Sequence, residues 1–221
     1  MKSVLKTISC PKCGSKQEFT MYTSINAATD KELSDKYLSG ELTTLKCQHC
    51  GFTGIVEYPL LYHDLNKKFS IFFSPDKDTR SEPLPKDVLP HHLVSSMRFR
   101  LVHHSEDFRE KIFIFRDSLD DRIIETVKDS IIREMKARSE SVVPTALYYA
   151  QDMFECSDRS LIFVPKSDGK YLDPIKVPFS TYTQIKTIMS SIWDRDVGTD
   201  GYCVVDNLWV QSPGNNIQSD K

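Results

Sequence analysis

Arginine is missing from the first 79 residues, glycine occurs only 8 times and tryptophan twice, and the charges almost cancel, with 29 Lys+Arg against 31 Asp+Glu for a formal −2. A chain without a cationic surplus is not a histone-like or membrane-coating protein, because such binding draws its affinity from neutralising phosphates. Scarce glycine leaves little material for loops that cradle phosphate. No phosphate-binding glycine loop, nucleophile elbow or helical His-Glu-x-x-His zinc motif is present. No uncharged apolar run approaches the ~18 residues of a membrane helix, and the apolar stretch after Lys2 is cut at Lys6, too short for a signal-peptide core. These absences point to a soluble, cytoplasmic protein of ordinary composition, 39% hydrophobic and 27% charged.

Six cysteines in 221 residues are too few for a disulfide scaffold. Their spacing is the informative feature. Cys10-Pro11-Lys12-Cys13-Gly14 and Cys47-Gln48-His49-Cys50-Gly51 are two CxxC pairs, each followed directly by glycine. Two thiolates three positions apart share one tetrahedral metal only where the backbone turns sharply, and glycine permits the left-handed conformation that closes such a turn. The pattern therefore predicts Cys10, Cys13, Cys47 and Cys50 as ligands of one structural zinc ion per chain. A four-cysteine cage also suits iron, and a redox dithiol is the third reading, although a thioredoxin-type site needs a single CxxC opening a helix. His49 stands between two ligands that already help fill the tetrahedron. Cys156 and Cys203 have no partner at metal spacing and read as buried, inert thiols.

Around the knuckles, residues 6–9, 17–23, 42–46 and 52–62 read as strands. Residues 30–39 read as a short helix, with Thr29 and Glu32 as a capping box and Gly40 as the stop. A turn at 63–67 and a returning strand at 69–73 complete an extended hairpin. Residues 74–92 hold Pro75, Pro83, Pro85 and Pro90 and no glycine, the composition of a semi-stiff linker. Beyond it, 97–102 reads as a strand, 107–115 is apolar-rich without a clear period, and a helix capped by Asp120 or Asp121 carries Ile123, Ile124, Val127 and Ile131. Strands at 145–155, 159–165 and 174–177 follow, with Asp168-Gly169 as a hairpin turn, then a helix over 181–193 capped by Ser180 and a strand at 201–205. The expected fold class is α+β. Residues 1–73 form a zinc-ribbon-like unit with an inserted helix, 74–92 a linker, 93–211 a mixed or antiparallel α+β unit, and 212–221 a polar tail.

The segments CPKCG, SINAATDKELSDKYLSGELTTLKCQHCG and IVEYPLLYHDLNKKFSIFF, continued by MRFRLVH and EKIFIFRDSLDDRIIETVK, resemble the CpXC domain, a bacterial and archaeal family without an assigned activity. The resemblance covers roughly residues 8 to 130. It implies the same four cysteines as metal-binding residues and supplies no substrate. The sequence departs from the family pattern at Gln48, where the second motif has proline.

Other titratable groups have simpler readings. His91-His92 and His103-His104 are the densest such cluster, and a solvent-facing role is expected of them because neighbouring strand residues point to opposite faces. Asp117, Asp120 and Asp121 are expected to serve the start of a helix rather than a metal. Lys12, Lys16 and Lys46 offset a dianionic metal–thiolate cluster. The first 60 residues carry 7 Lys and 6 acids without the arginines that read bases and phosphates. The sequence thus favours a non-enzymatic protein-interaction or scaffold module with a protein partner. An enzyme seated in the C-terminal unit and a weak nucleic-acid-binding ribbon are the alternatives.

Overall fold

A computed structural model describes residues 2–80, 96–139, 142–150, 160–190 and 201–211. The protein is α+β and divides into two compact units, Met1–Phe108 with Gly198–Tyr202, and Arg109–Val197 with Cys203–Lys221. The proline-rich stretch lies outside the described residues from position 81 on, as do Cys156, His91, His92 and the tail.

In the first unit a long hairpin of β1 (Lys2–Ser9) and β2 (Lys16–Asn26) leads to α1 (Lys31–Leu38) and a single 3-10 turn, Glu41–Thr43. Short strands β3 (Thr44–Lys46) and β4 (Thr53–Ile55) flank the second knuckle, and β5 (Leu60–Asp64), β6 (Phe69–Phe73) and β7 (Arg98–Val102) follow. Five strands form a mixed sheet in the order β1-β2-β5-β6-β7. β1 with β2 and β5 with β6 are antiparallel, while β2 with β5 and β6 with β7 are parallel. The two strands on either side of the 74–92 segment are thus neighbours in one sheet.

The single strand expected over 52–62 is two. Pro59, immediately before β5, has no amide to give a ladder, so β4 ends at Ile55 and pairs with β3, and the chain restarts at Leu60 against β2 and β6. The expected capping box is absent as well. Asp30 is the N-cap of α1 and makes no side-chain cap bond, while Glu32 pairs with Lys36 one turn on at 2.8 Å. The core of this unit is aromatic: Tyr62 stacks on Phe69 at 6.2 Å and Phe73 on Phe108 at 5.3 Å, with Tyr37 edge-on to Phe108 at 5.5 Å. The Tyr62 hydroxyl is satisfied by Ser34 Oγ at 2.6 Å, which ties α1 to that core.

Helix α2 (Ser105–Arg116) covers the stretch whose periodicity is unclear in sequence. Its ambiguity has a cause: besides Phe108, Ile112 and Phe115, the helix also buries Glu110 and Lys111, so its buried face mixes apolar and charged residues. In the second unit α3 (Asp121–Ala137) is capped as expected, Asp120 Oδ1 accepting from the Arg122 amide at 3.0 Å. Strands β8 (Ala146–Ala150), β9 (Ser160–Ser167), β10 (Lys170–Tyr171) and β11 (Ile175–Pro178) pair antiparallel, with β9 central. Asp168 and Gly169 have φ of 50° and 75°, the positive pair that a two-residue hairpin needs. Helix α4 (Phe179–Ser190) starts two residues before the expected position, so Ser180 lies inside it. The expected strand at 201–205 is reduced to isolated bridges at Gly201 and Cys203, followed by α5 (Asn207–Gln211) with Trp209 buried. Cys203 is half-buried.

The second unit also buries charge. Lys111 Nζ lies 3.1 Å from Asp121 and 3.0 Å from Glu125, and Lys128 Nζ lies 3.0 Å from Glu125 and 2.9 Å from Glu110. Glu110 Oε1 additionally accepts from the Tyr149 amide at 2.6 Å. Three carboxylates thus share two ammonium groups. Burial, only partly offset by Lys128, pushes the Glu110 carboxyl up to about 7, with the Glu125 charge adding to the rise.

Candidate metal centre

Both CxxC segments fold alike because each glycine takes the left-handed conformation its position demands, φ 72° at Gly14 and 70° at Gly51. Gly14 N–H donates to Cys10 C=O at 2.9 Å and Gly51 N–H to Cys47 C=O at 3.0 Å. Cys10 N–H donates to Ser15 C=O at 2.9 Å and Cys47 N–H to Phe52 C=O at 2.8 Å. The two turns are therefore near copies. An added Cβ at either glycine meets nothing within 4 Å, so Gly14→Ala and Gly51→Ala should each cost only the left-handed strain, about 1–2 kcal/mol. Asparagine at the same places, which tolerates that conformation, should cost less. Denaturant unfolding of the metal-loaded protein measures both.

The turns bring the four sulfurs of Cys10, Cys13, Cys47 and Cys50 within 4.8 Å of one another. Two of these approaches cross between knuckles, Cys10 to Cys50 and Cys13 to Cys47, each at 3.7 Å. A tetrahedral cage with zinc–sulfur bonds of ~2.3 Å has its corners about 3.8 Å apart. The cluster has the size and donor set to hold one metal ion. No other group of metal-ligating side chains converges among the described residues.

Two residues that spacing alone does not reveal complete the site. Ser15 Oγ lies 3.1 Å from Cys13 Sγ and 3.3 Å from Cys47 Sγ, joining one knuckle to the other. The only sequence signal for it is a hydroxyl directly after Cys-Gly. Gln17, at the start of β2, donates from Nε2 to the Lys46 carbonyl at 3.1 Å and accepts from the Gln48 amide at 3.2 Å. A proline at position 48 would have no such amide, so the departure from the family's motif here supplies a bond that holds the second knuckle to β2.

The environment favours thiolates unevenly. The Ser15 hydroxyl and then its amide lower the Cys13 thiol to about 5. The same hydroxyl, followed by the Cys50 and His49 amides, lowers Cys47 to about 7. At Cys50 the Phe52 amide pulls downward, but burial and the three neighbouring sulfurs win and push the thiol up to about 12. A crowded sulfur cluster cannot hold four negative charges by itself; a divalent cation resolves that repulsion.

Elsewhere the candidate residues do not assemble. His49 is exposed and outside the cluster. His103 Nδ1–H donates to the Ser74 carbonyl at 3.0 Å, and His104 is exposed. Asp120 caps α3, Asp121 pairs with Lys111, and Asp117 accepts from the Tyr149 hydroxyl at 2.6 Å, three separate roles. Lys12, Lys16 and Lys46 are exposed beside the knuckles. The aromatic run before the hairpin packs inward, with Tyr58, Leu60 and Tyr62 buried.

Among the described residues no helix is long and apolar enough to cross a membrane. No curated protein and no solved structure matches the chain. The family model for CpXC proteins matches residues 8–128, more than half of the sequence and all four cysteines, and the chain belongs to that family.

Proposed function

We propose that this protein is a non-enzymatic interaction or scaffold module whose ribbon is held by one structural zinc ion on Cys10, Cys13, Cys47 and Cys50. The observation that carries the reading is the donor set: four cysteine sulfurs, all within 4.8 Å of one another and with cross-knuckle distances of 3.7 Å, are enough to complete a tetrahedron. A metal so enclosed keeps no position for substrate or activated water, which is what separates structural from catalytic zinc sites. Bound there, zinc supplies a crosslink between two segments more than 30 positions apart and charge compensation for the thiolates. The lysines beside the knuckles offset the remaining negative charge, and the arginine-free ribbon disfavours nucleic acid. The partner on this reading is another protein, met in the cytoplasm.

A pull-down from native lysate with the intact protein and with Cys47→Ser tests the reading. Proteins retained by the metal-loaded form and lost with Cys47→Ser support it. Sub-micromolar binding of DNA or RNA that persists at physiological salt would replace it with the nucleic-acid alternative.

A further inference from the structure

We propose that β1 is a docking edge that accepts an extended acidic segment of a partner protein as an added strand. The inference rests on the protein-interaction reading above and names the surface and the partner's chemistry. β1 is the terminal strand of the five-stranded sheet and pairs along its length with β2 alone, from Lys2↔Ser24 to Ser9↔Lys16. Among the described residues no strand lies beyond it, so its outward amides and carbonyls form an eight-residue template of the kind that β-augmentation uses.

Its side chains suit a docking strand better than a covered one. Residues 3 to 7 are all exposed, with Val4 at 44% and Leu5 at 58%. Alternation places Val4, Lys6 and Ile8 on one face and Ser3, Leu5 and Thr7 on the other, so an incoming strand meets apolar surface on both faces and a cation on one. Charge selects the partner. β1 itself carries two lysines, Lys2 and Lys6, and no acid. An edge-to-edge pair of two copies would bring these lysine-only segments together, and like charges across strands are destabilising. An acidic strand gains where a second copy loses.

The probe is an acetylated octapeptide alternating Glu and Val, titrated into the metal-loaded full-length protein at low salt. Four companions accompany it: the same peptide with Lys for Glu, two versions N-methylated at alternate amides, and a 20-nucleotide oligo-dT. The proposal expects saturable binding of the Glu/Val peptide, weaker by about two- to thirtyfold with Lys6→Glu and weakened as salt screens the pair. It also expects one N-methylated version to lose binding while the other keeps it, because an added strand uses only one set of its amides. That arm uses the unaltered protein, so it does not depend on the variant's folding. Equal binding of the Lys peptide, equal binding of both N-methylated forms, or binding of oligo-dT without the peptide overturns the proposal. A silent peptide alongside a partner recovered in the pull-down counts against this edge and leaves the scaffold reading standing.

Discussion

Strong chelation should make Lys12, Lys16 and Lys46 rapid tryptic sites while the sheet of β5, β6 and β7 stays protected. All three lysines are exposed beside the cysteines. Around the knuckles themselves the buried apolar residues are few, Leu45 with Cys10 and Cys47, and β3 and β4 are three residues long each. Little besides the metal holds them. Structural zinc contributes about 10–16 kcal/mol in small finger peptides at neutral pH, as much as or more than the whole stability of most domains. The aromatic core of Tyr62, Phe69, Phe73 and Phe108 contains no cysteine and should survive the loss. Cys47→Ser should reproduce the chelated pattern. A single cooperative melt of the entire chain on chelation would mean that the ribbon and that core are one energetic unit, against this account.

The second large effect concerns the buried charges of the other unit. Lys111→Leu takes from the buried Asp121 and Glu125 the ammonium group they share, and removing one partner from a buried ion pair costs about 3–5 kcal/mol. A loss that size consumes much of a domain's margin. Lys111→Leu combined with Asp121→Asn removes one charge of each sign and should recover at least half of the loss, as measured by denaturant unfolding. The same network sets a pH dependence. Because the Glu110 carboxyl is held near 7 in the folded protein against an ordinary 4.5, the folded state keeps a proton that the unfolded chain releases. Its contribution is therefore fully present below about pH 4.5 and is lost as pH rises through about 7, on the order of 1–3 kcal/mol. Glu110→Gln should flatten the fall in stability between pH 5 and 7.5. An unchanged slope would show that another group carries it.

These two regions differ in how well the sequence announces them. The knuckles are legible because a metal cage imposes a spacing, CxxCG twice, that few other structures require. The short helix α1 is legible from Leu33, Tyr37 and Gly40, but its cap is not: whether Thr29 or Asp30 begins the helix depends on the backbone turn after Asn26, whose carbonyl accepts from both residues' amides. Pro59 carries the signal that splits β4 from β5, and a β-branched and aromatic run obscures it. Helix α2 is hidden because two of its charged residues, Glu110 and Lys111, are inside, paired with groups 10 to 18 positions away along the chain. Ser15 and Gln17 are ordinary polar residues until the fold brings the second knuckle against them. Local chemistry writes itself into spacing; pairings between distant segments do not.

The measurement that bears most directly on the central claim is elemental analysis of the purified, desalted chain together with a zinc-competition titration. One equivalent of zinc per chain, lost in Cys47→Ser and returned to the intact protein on reloading, is the predicted result. Zero or two equivalents, or a full equivalent retained by Cys47→Ser, would contradict the four-cysteine structural site.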